Sequence, residues 1–133
     1  MPQGSVTVNI VDDDSSVRKA LERLLRSMGY RALTFESAEE FLEATSGCGE
    51  GCLVLDIRLP GITGLELQEK LASRGAKYSI IFMTAHDNPQ WQERARREGA
   101  VAYLKKPFHE SSLLEAIKLA CGDLLLACRR GDI

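Results

Sequence analysis

The chain has 133 residues, 44% hydrophobic and 27% charged, with a formal net charge of -2. That is the size of one domain able to bury its own core, and the near-neutral charge argues against a polyanion partner or a general attraction to membranes. No run approaches the roughly 18 apolar residues of a membrane span, and the opening MPQGSV is not a signal peptide, so a cytoplasmic domain is the default expectation.

In chain order, residues 6–11 (VTVNIV) are β-branched and apolar and predict a buried strand. Three consecutive acids follow it, Asp12, Asp13 and Asp14. Val17, Ala20, Leu21, Leu24, Leu25 and Met28 then recur at helical spacing, with Ser15 as the expected N-cap and Gly29 as the stop. Residues 31–35 predict a second strand, and Ser37 caps a helix carrying Phe41 and Leu42. A glycine-rich loop over residues 47–51 leads to a third strand beginning at Cys52 and ending at Asp56. Residues 65–71 read as helix.

Residues 80–83 are an apolar run ending at Thr84, a fourth strand. Asn88 followed by Pro89 is the pattern of an N-cap and a first helical residue, and the helix over 89–98 stops at Gly99. Its sequence is strongly charged. Trp91 and Ala95 are its good core candidates, beside Arg94, Arg96 and Arg97. Residues 101–104 predict a fifth strand, and Leu113, Ile117, Cys121, Leu124 and Cys128 mark a last helix. Strands alternating with helices in this way imply an α/β fold, one parallel sheet with helices on both faces.

Four cysteines, Cys48, Cys52, Cys121 and Cys128, are separated within each pair by three and six residues, which misses the usual zinc spacing. The plainer reading is two cysteines at a loop and two small apolar positions on the last helix.

In an open parallel sheet, ligands bind outside the carboxyl ends of the strands, near the point where strand order reverses. After the first strand stand Asp12, Asp13 and Asp14, after the third Asp56, after the fourth Thr84, and after the fifth Lys106. Converging carboxylates form a hard-oxygen site suited to Mg²⁺. A carboxylate is also a competent nucleophile toward phosphorus. A hydroxyl and an ammonium beside it can hold phosphoryl oxygens, so the set is complete for metal-dependent phosphoryl transfer to an aspartate.

The sequence resembles the receiver domains of bacterial two-component response regulators. The matching residues are Val11-Asp12-Asp13, DIRLPGITG from Asp56 to Gly64, MTA from Met83 to Ala85, and KKPF from Lys105 to Phe108. DIRLPGITG is the most specific of these, and the motifs fall in order within residues 6–122.

The resemblance implies a doubly wound, flavodoxin-like sheet of order 2-1-3-4-5 and a sensor histidine kinase as phosphodonor. It implies Asp56 as phosphoacceptor, Asp13 as a direct Mg²⁺ ligand and Asp12 as one acting mainly through water. The backbone carbonyl of Arg58 would be a further ligand. Thr84 and Lys106 would contact phosphoryl oxygens, and Tyr103 would turn inward as Thr84 moves. Ala85 would leave the phosphoryl group room, and Lys106-Pro107 would be cis. Arg58 and His86 fall where the family tunes dephosphorylation. Asp14 is read as a surface acid without a metal bond.

The implied function is a phosphorylation-dependent switch that changes the surface of the fourth helix, fifth strand and fifth helix, rather than an enzyme acting on other substrates. That surface is also the expected site of any homodimer. Residues 1–122 form the expected receiver domain and 123–133 a helical extension or the start of a linker. The chain is expected to be either a stand-alone receiver or part of a longer regulator; the resemblance leans toward regulators with a C-terminal DNA-binding output, as in nitrogen-fixation control, with no nucleic-acid contact by this domain itself.

Two other readings compete. Asp12 and Asp14 fit the Asp-x-Asp start of haloacid-dehalogenase-like phosphatases, which leaves DIRLPGITG unexplained. A receiver-shaped binding module that is never phosphorylated would be expected to lack an acid, the acceptor or the lysine.

Overall fold

Five apolar segments too short for helices, each joined to the next through an amphipathic helix, can satisfy their backbones together only as a parallel sheet. The computed structural model, which describes residues 7–45, 50–86 and 88–130, has that arrangement. Its strands are β1 (Thr7–Val11), β2 (Arg31–Phe35), β3 (Glu50–Asp56), β4 (Lys77–Thr84) and β5 (Ala102–Lys105). The helices are α1 (Ser15–Ser27), α2 (Ala38–Thr45), α3 (Gly64–Ser73), α4 (Pro89–Arg97) and α5 (Glu110–Arg130). The strands are all parallel, in the order β2-β1-β3-β4-β5.

Side chains alternate across the sheet and build two cores. On one face Val8, Ile10, Val54 and Ile81 pack with Leu21 and Leu25 of α1 and with Leu113 and Ile117 of α5. On the other, Val11, Leu53, Leu55 and Phe82 meet Phe41 of α2, Leu67 and Leu71 of α3 and Ala95 of α4. Each fully buried large apolar side chain contributes about 1.5–3 kcal/mol, so these layers outweigh weak local preferences. The charged α4 is held by Ala95, which is fully buried, and by the half-buried Trp91, as its sequence predicts.

Register then sets the site. Val11 pairs with Leu55, so Asp12 and Asp56 emerge side by side where strand order reverses between β1 and β3. Asp56 pairs with Met83 and Thr84 with Lys105, which brings the ends of β4 and β5 to the same edge.

Some local expectations change. Asp14, not Ser15, caps α1: its carboxylate accepts from the amides of Ser16 at 2.8 Å and Val17 at 3.4 Å, while Ser15 is already helical. A carboxylate reaches two free amides of the first turn and suits the positive end of the helix, which a single hydroxyl does less well. Ala20 and Met28 of the expected stripe are exposed. Met28 is the C-cap, and Gly29 at φ 89° turns the chain away before it can pack. Both β3 and β4 start earlier than apolarity alone suggests, with Glu50 opposite Lys77 in the backbone register.

Cys52 is buried in β3. Val6, Gly47, Cys48 and the side chains of Cys121, Leu124 and Cys128 lie outside the described residues. The α5 backbone runs through Gly122 to Arg130.

Candidate functional site

Asp12 leaves β1 with its side chain fully buried, and three groups hold it there. Its Oδ1 accepts from the Asp14 amide at 2.9 Å. Its Oδ2 accepts from Lys106 Nζ at 2.8 Å, and its backbone carbonyl accepts from Arg18 Nη1 at 2.6 Å. Asp56 is 7% exposed at the end of β3. Its Oδ2 lies 3.3 Å from Lys106 Nζ, and its Oδ1 accepts from the Arg58 amide at 3.1 Å. Lys106 therefore bridges both acids from the end of β5. The Lys106 amide donates to the Thr84 carbonyl at 2.7 Å, which ties that loop to β4.

Oxygens of Asp12, Asp13 and Asp56 all lie within 4.8 Å of one another. Asp13 is exposed and makes the open side of the cluster. Burial pushes the Asp56 carboxyl above its ordinary range, Lys106 opposes that, and the Asp12 charge adds to the rise. For Lys106, burial disfavours the ammonium, yet the hydrogen bond to Asp12 and the charges of Asp56 and Asp12 outweigh it and raise its pKa. An all-oxygen donor set, one open side and a carboxylate held against its ionisation fit a hard divalent cation with water and phosphate oxygens completing its shell.

Thr84 is fully buried, and its Oγ1 accepts from the His86 amide at 3.1 Å. The expected cis bond at Lys106-Pro107 is present. Tyr103, beside Phe82 in register, is half-buried against the α3–α4 face, and its hydroxyl is covered. Asp14 faces solvent at the α1 N-terminus, as expected of an acid outside the cluster.

All the residues expected at the strand ends come together. Some contacts exceed what the chain order discloses. Arg58 Nη1 lies 2.8 Å from His86 Nε2, so the residues two beyond the acceptor and two beyond the threonine form a pair. Trp91 of α4 stands edge-on to the His86 ring, 6.5 Å between centroids. Arg18, one α1 turn after the acids, was no more than a helix-surface cation by its sequence context. Its position four residues after Asp14, on the turn facing β1, is the signal that could have found it.

Comparison with known proteins gives the same picture from another direction. The family model for the response regulator receiver domain matches residues 8–118. The chain is 44% identical over 114 residues to the transcriptional regulatory protein TdiR of Thauera aromatica, covering 86% of this chain and 50% of that protein. It is 39% identical over 122 residues to the transcriptional regulatory protein FixJ of Azorhizobium caulinodans, covering 92% of this chain and 57% of that one. Among solved structures, that of the response regulator StyR superposes with a TM-score of 0.83 at 45% identity, over 95% of this chain and 62% of that chain. The chain thus spans about half the length of the curated relatives it matches.

Proposed function

The chain belongs to the receiver domains of two-component response regulators, and from that premise we propose that Asp56 accepts a phosphoryl group from a sensor histidine kinase and switches the α4–β5–α5 surface. The observation that carries this is the bridging of Asp12 and Asp56 by one lysine, beside the open side formed by Asp13. It is the constellation of a carboxylate nucleophile with its charge-neutralising partners.

An oxygen of the Asp56 carboxylate attacks phosphorus in line with the donor's leaving group. The new O–P bond forms as the bond to the leaving group breaks, and that group departs with the electron pair. Lys106 Nζ, already beside Asp56, takes one phosphoryl oxygen, and the Thr84 hydroxyl rotates from the His86 amide to take another. Asp12, Asp13, Asp56 and the Arg58 carbonyl would hold Mg²⁺, which when bound supplies further positive charge against the phosphoryl oxygens. Withdrawal of Thr84 toward the phosphoryl group frees space behind it for Tyr103. The two states differ in contacts, so phosphorylation shifts their populations.

The test is amide exchange on protein phosphorylated to completion. Protection changes concentrated in α4 and β5, with β2 and α2 unchanged, support the switch. Uniform or absent change would remove it.

The Arg58–His86 pair stands at the mouth of this site. Held 2.8 Å from the Arg58 guanidinium, the His86 ring covers the acyl phosphate and shields it from water. His86→Ala is expected to shorten the phosphoryl lifetime about threefold, equivalent to ~0.7 kcal/mol of barrier. An unchanged lifetime in that variant removes the role.

In this reading residues 1–122 are the receiver, α5 runs on to Arg130, and residues 123–133 lead toward an output segment. The chain's half-length match to transcriptional regulators favours a DNA-binding output joined through that helix. The same α4–β5–α5 face would serve a phosphorylation-dependent homodimer, and the setting would be the cytoplasm, where such kinases present their phosphohistidine. Among the described residues, no helix is long and apolar enough to cross a membrane.

A further inference from the structure

The segment between β3 and α3, residues 57–63, carries the Arg58 carbonyl and so one side of the proposed cation site. Its two ends are fixed by neighbours in sequence. At the start, the Arg58 amide donates to Asp56 Oδ1. At the close, the Gly64 amide donates to the Ile57 carbonyl at 2.9 Å, and Thr63 and Glu66 cap α3 reciprocally. Gly64 lies so close that an added Cβ would stand 2.4 Å from the Asp56 carbonyl oxygen.

The middle of the segment is held differently, by a side chain from another helix. Glu39, in the first turn of α2, accepts from the Ile62 amide through Oε2 at 3.1 Å. Its carboxylate fills the space beside Gly61, where a Cβ would come within 2.3 Å of the same oxygen. Gly61 has φ 76°, a left-handed backbone that glycine adopts without cost. The turn therefore both needs glycine and presents an empty flank, and Glu39 occupies that flank. An exposed acid in a first helical turn is ordinarily explained by the helix dipole alone. A bond across 23 residues to a turn with no side chain in the way is a second and more specific task.

We propose that Glu39 is a positioning residue for the cation site: it pins the Gly61–Ile62 turn and thereby fixes the Arg58 carbonyl relative to Asp56. This rests on the reading of Asp12, Asp13 and Asp56 as a Mg²⁺ site. Groups that orient metal ligands from outside the coordination shell typically matter at the level of 10–100-fold in affinity. Glu39 acts through three residues of backbone, so the lower end applies.

The test is calorimetric titration of Mg²⁺ into the wild type, Glu39→Ala and Glu39→Gln, with circular dichroism to establish that each is folded. Glu39→Ala is expected to weaken the Mg²⁺ dissociation constant about tenfold. Glu39→Gln keeps an acceptor oxygen at the same reach, so it should stay within about twofold of the wild type. A role limited to charge, through the dipole or through attraction of the cation, predicts that Gln is as weak as Ala. That result, or unaltered affinity in Glu39→Ala, or a wild type that binds no Mg²⁺, overturns the proposal. A wild type that binds Mg²⁺ but takes no phosphoryl group would instead strike the switch reading and leave the Glu39 comparison to be judged by affinity alone.

Discussion

Replacing Lys106 with methionine is expected to destabilise the metal-free protein by about 2–3 kcal/mol and to slow phosphoryl transfer by roughly 10²-fold. Methionine keeps much of the length and removes the charge. What remains is Asp12, fully buried, facing Asp56, with no cation between them. Breaking a fully buried pair by removing one partner costs about 3–5 kcal/mol; Lys106 keeps 21% of its side chain exposed, so water relieves part of the loss. Urea unfolding in a chelator measures it. A loss below about 0.5 kcal/mol, the scale of ordinary surface substitutions, would mean that the lysine does not neutralise the cluster. Saturating Mg²⁺ should restore part of the difference, because it binds the folded cluster and not the unfolded chain.

The opposite sign is expected at Asp56. Asp56→Asn should stabilise the metal-free protein at neutral pH by about 1 kcal/mol, as often happens when a functional group held against its preference is neutralised. The sign follows from linkage. The folded protein raises the Asp56 pKa, chiefly by burial, so it favours the protonated form more than the unfolded chain does. Stability from that preference is full below the ordinary carboxylate pKa, about 4, and is lost as pH rises through the elevated value. Wild type and Asp56→Asn should therefore melt alike in acid and separate as pH rises through that window, with the variant higher. The raised pKa of Lys106 acts only in the alkaline range, above its ordinary value, and leaves this comparison untouched. Melting curves without metal between pH 4 and 8 provide the measurement. A variant less stable than the wild type by a pH-independent margin would show that Asp56 is not held against its ionisation. The two substitutions together describe a site whose carboxylates outnumber its fixed cations, which is the condition for gripping a divalent ion.

Much of this was legible from the chain because the relevant information is local. Each strand carries a short, largely apolar run, and the residue standing just after it is set by chain order, so Asp12, Asp13, Asp56, Thr84 and Lys106 could be placed at one edge before any coordinates. Strand order required the family resemblance, since periodicity does not say which strand lies beside which.

The contacts that sequence did not disclose share one property. Arg58 with His86, Glu39 with Ile62, Glu69 with Arg94 and Arg18 with the Asp12 carbonyl depend on where side chains reach between elements, over as many as 28 residues. A long polar side chain in an exposed position has no periodic signature to mark its partner. The α1 cap is Asp14 rather than Ser15 because both residue types suit a cap, and the carboxylate of Asp14 is the one that reaches the Ser16 and Val17 amides. Asp14 thus serves the helix while Asp12 and Asp13 stand in the acidic cluster with Asp56, the division expected from the family resemblance.

Incubation with a small phosphodonor and Mg²⁺, followed by intact-mass measurement, tests the central claim most directly. The wild type is expected to gain a single phosphoryl group, chelation of Mg²⁺ to prevent the gain, and Asp56→Asn to show none. No gain in the wild type, or a gain that persists in Asp56→Asn, would contradict it.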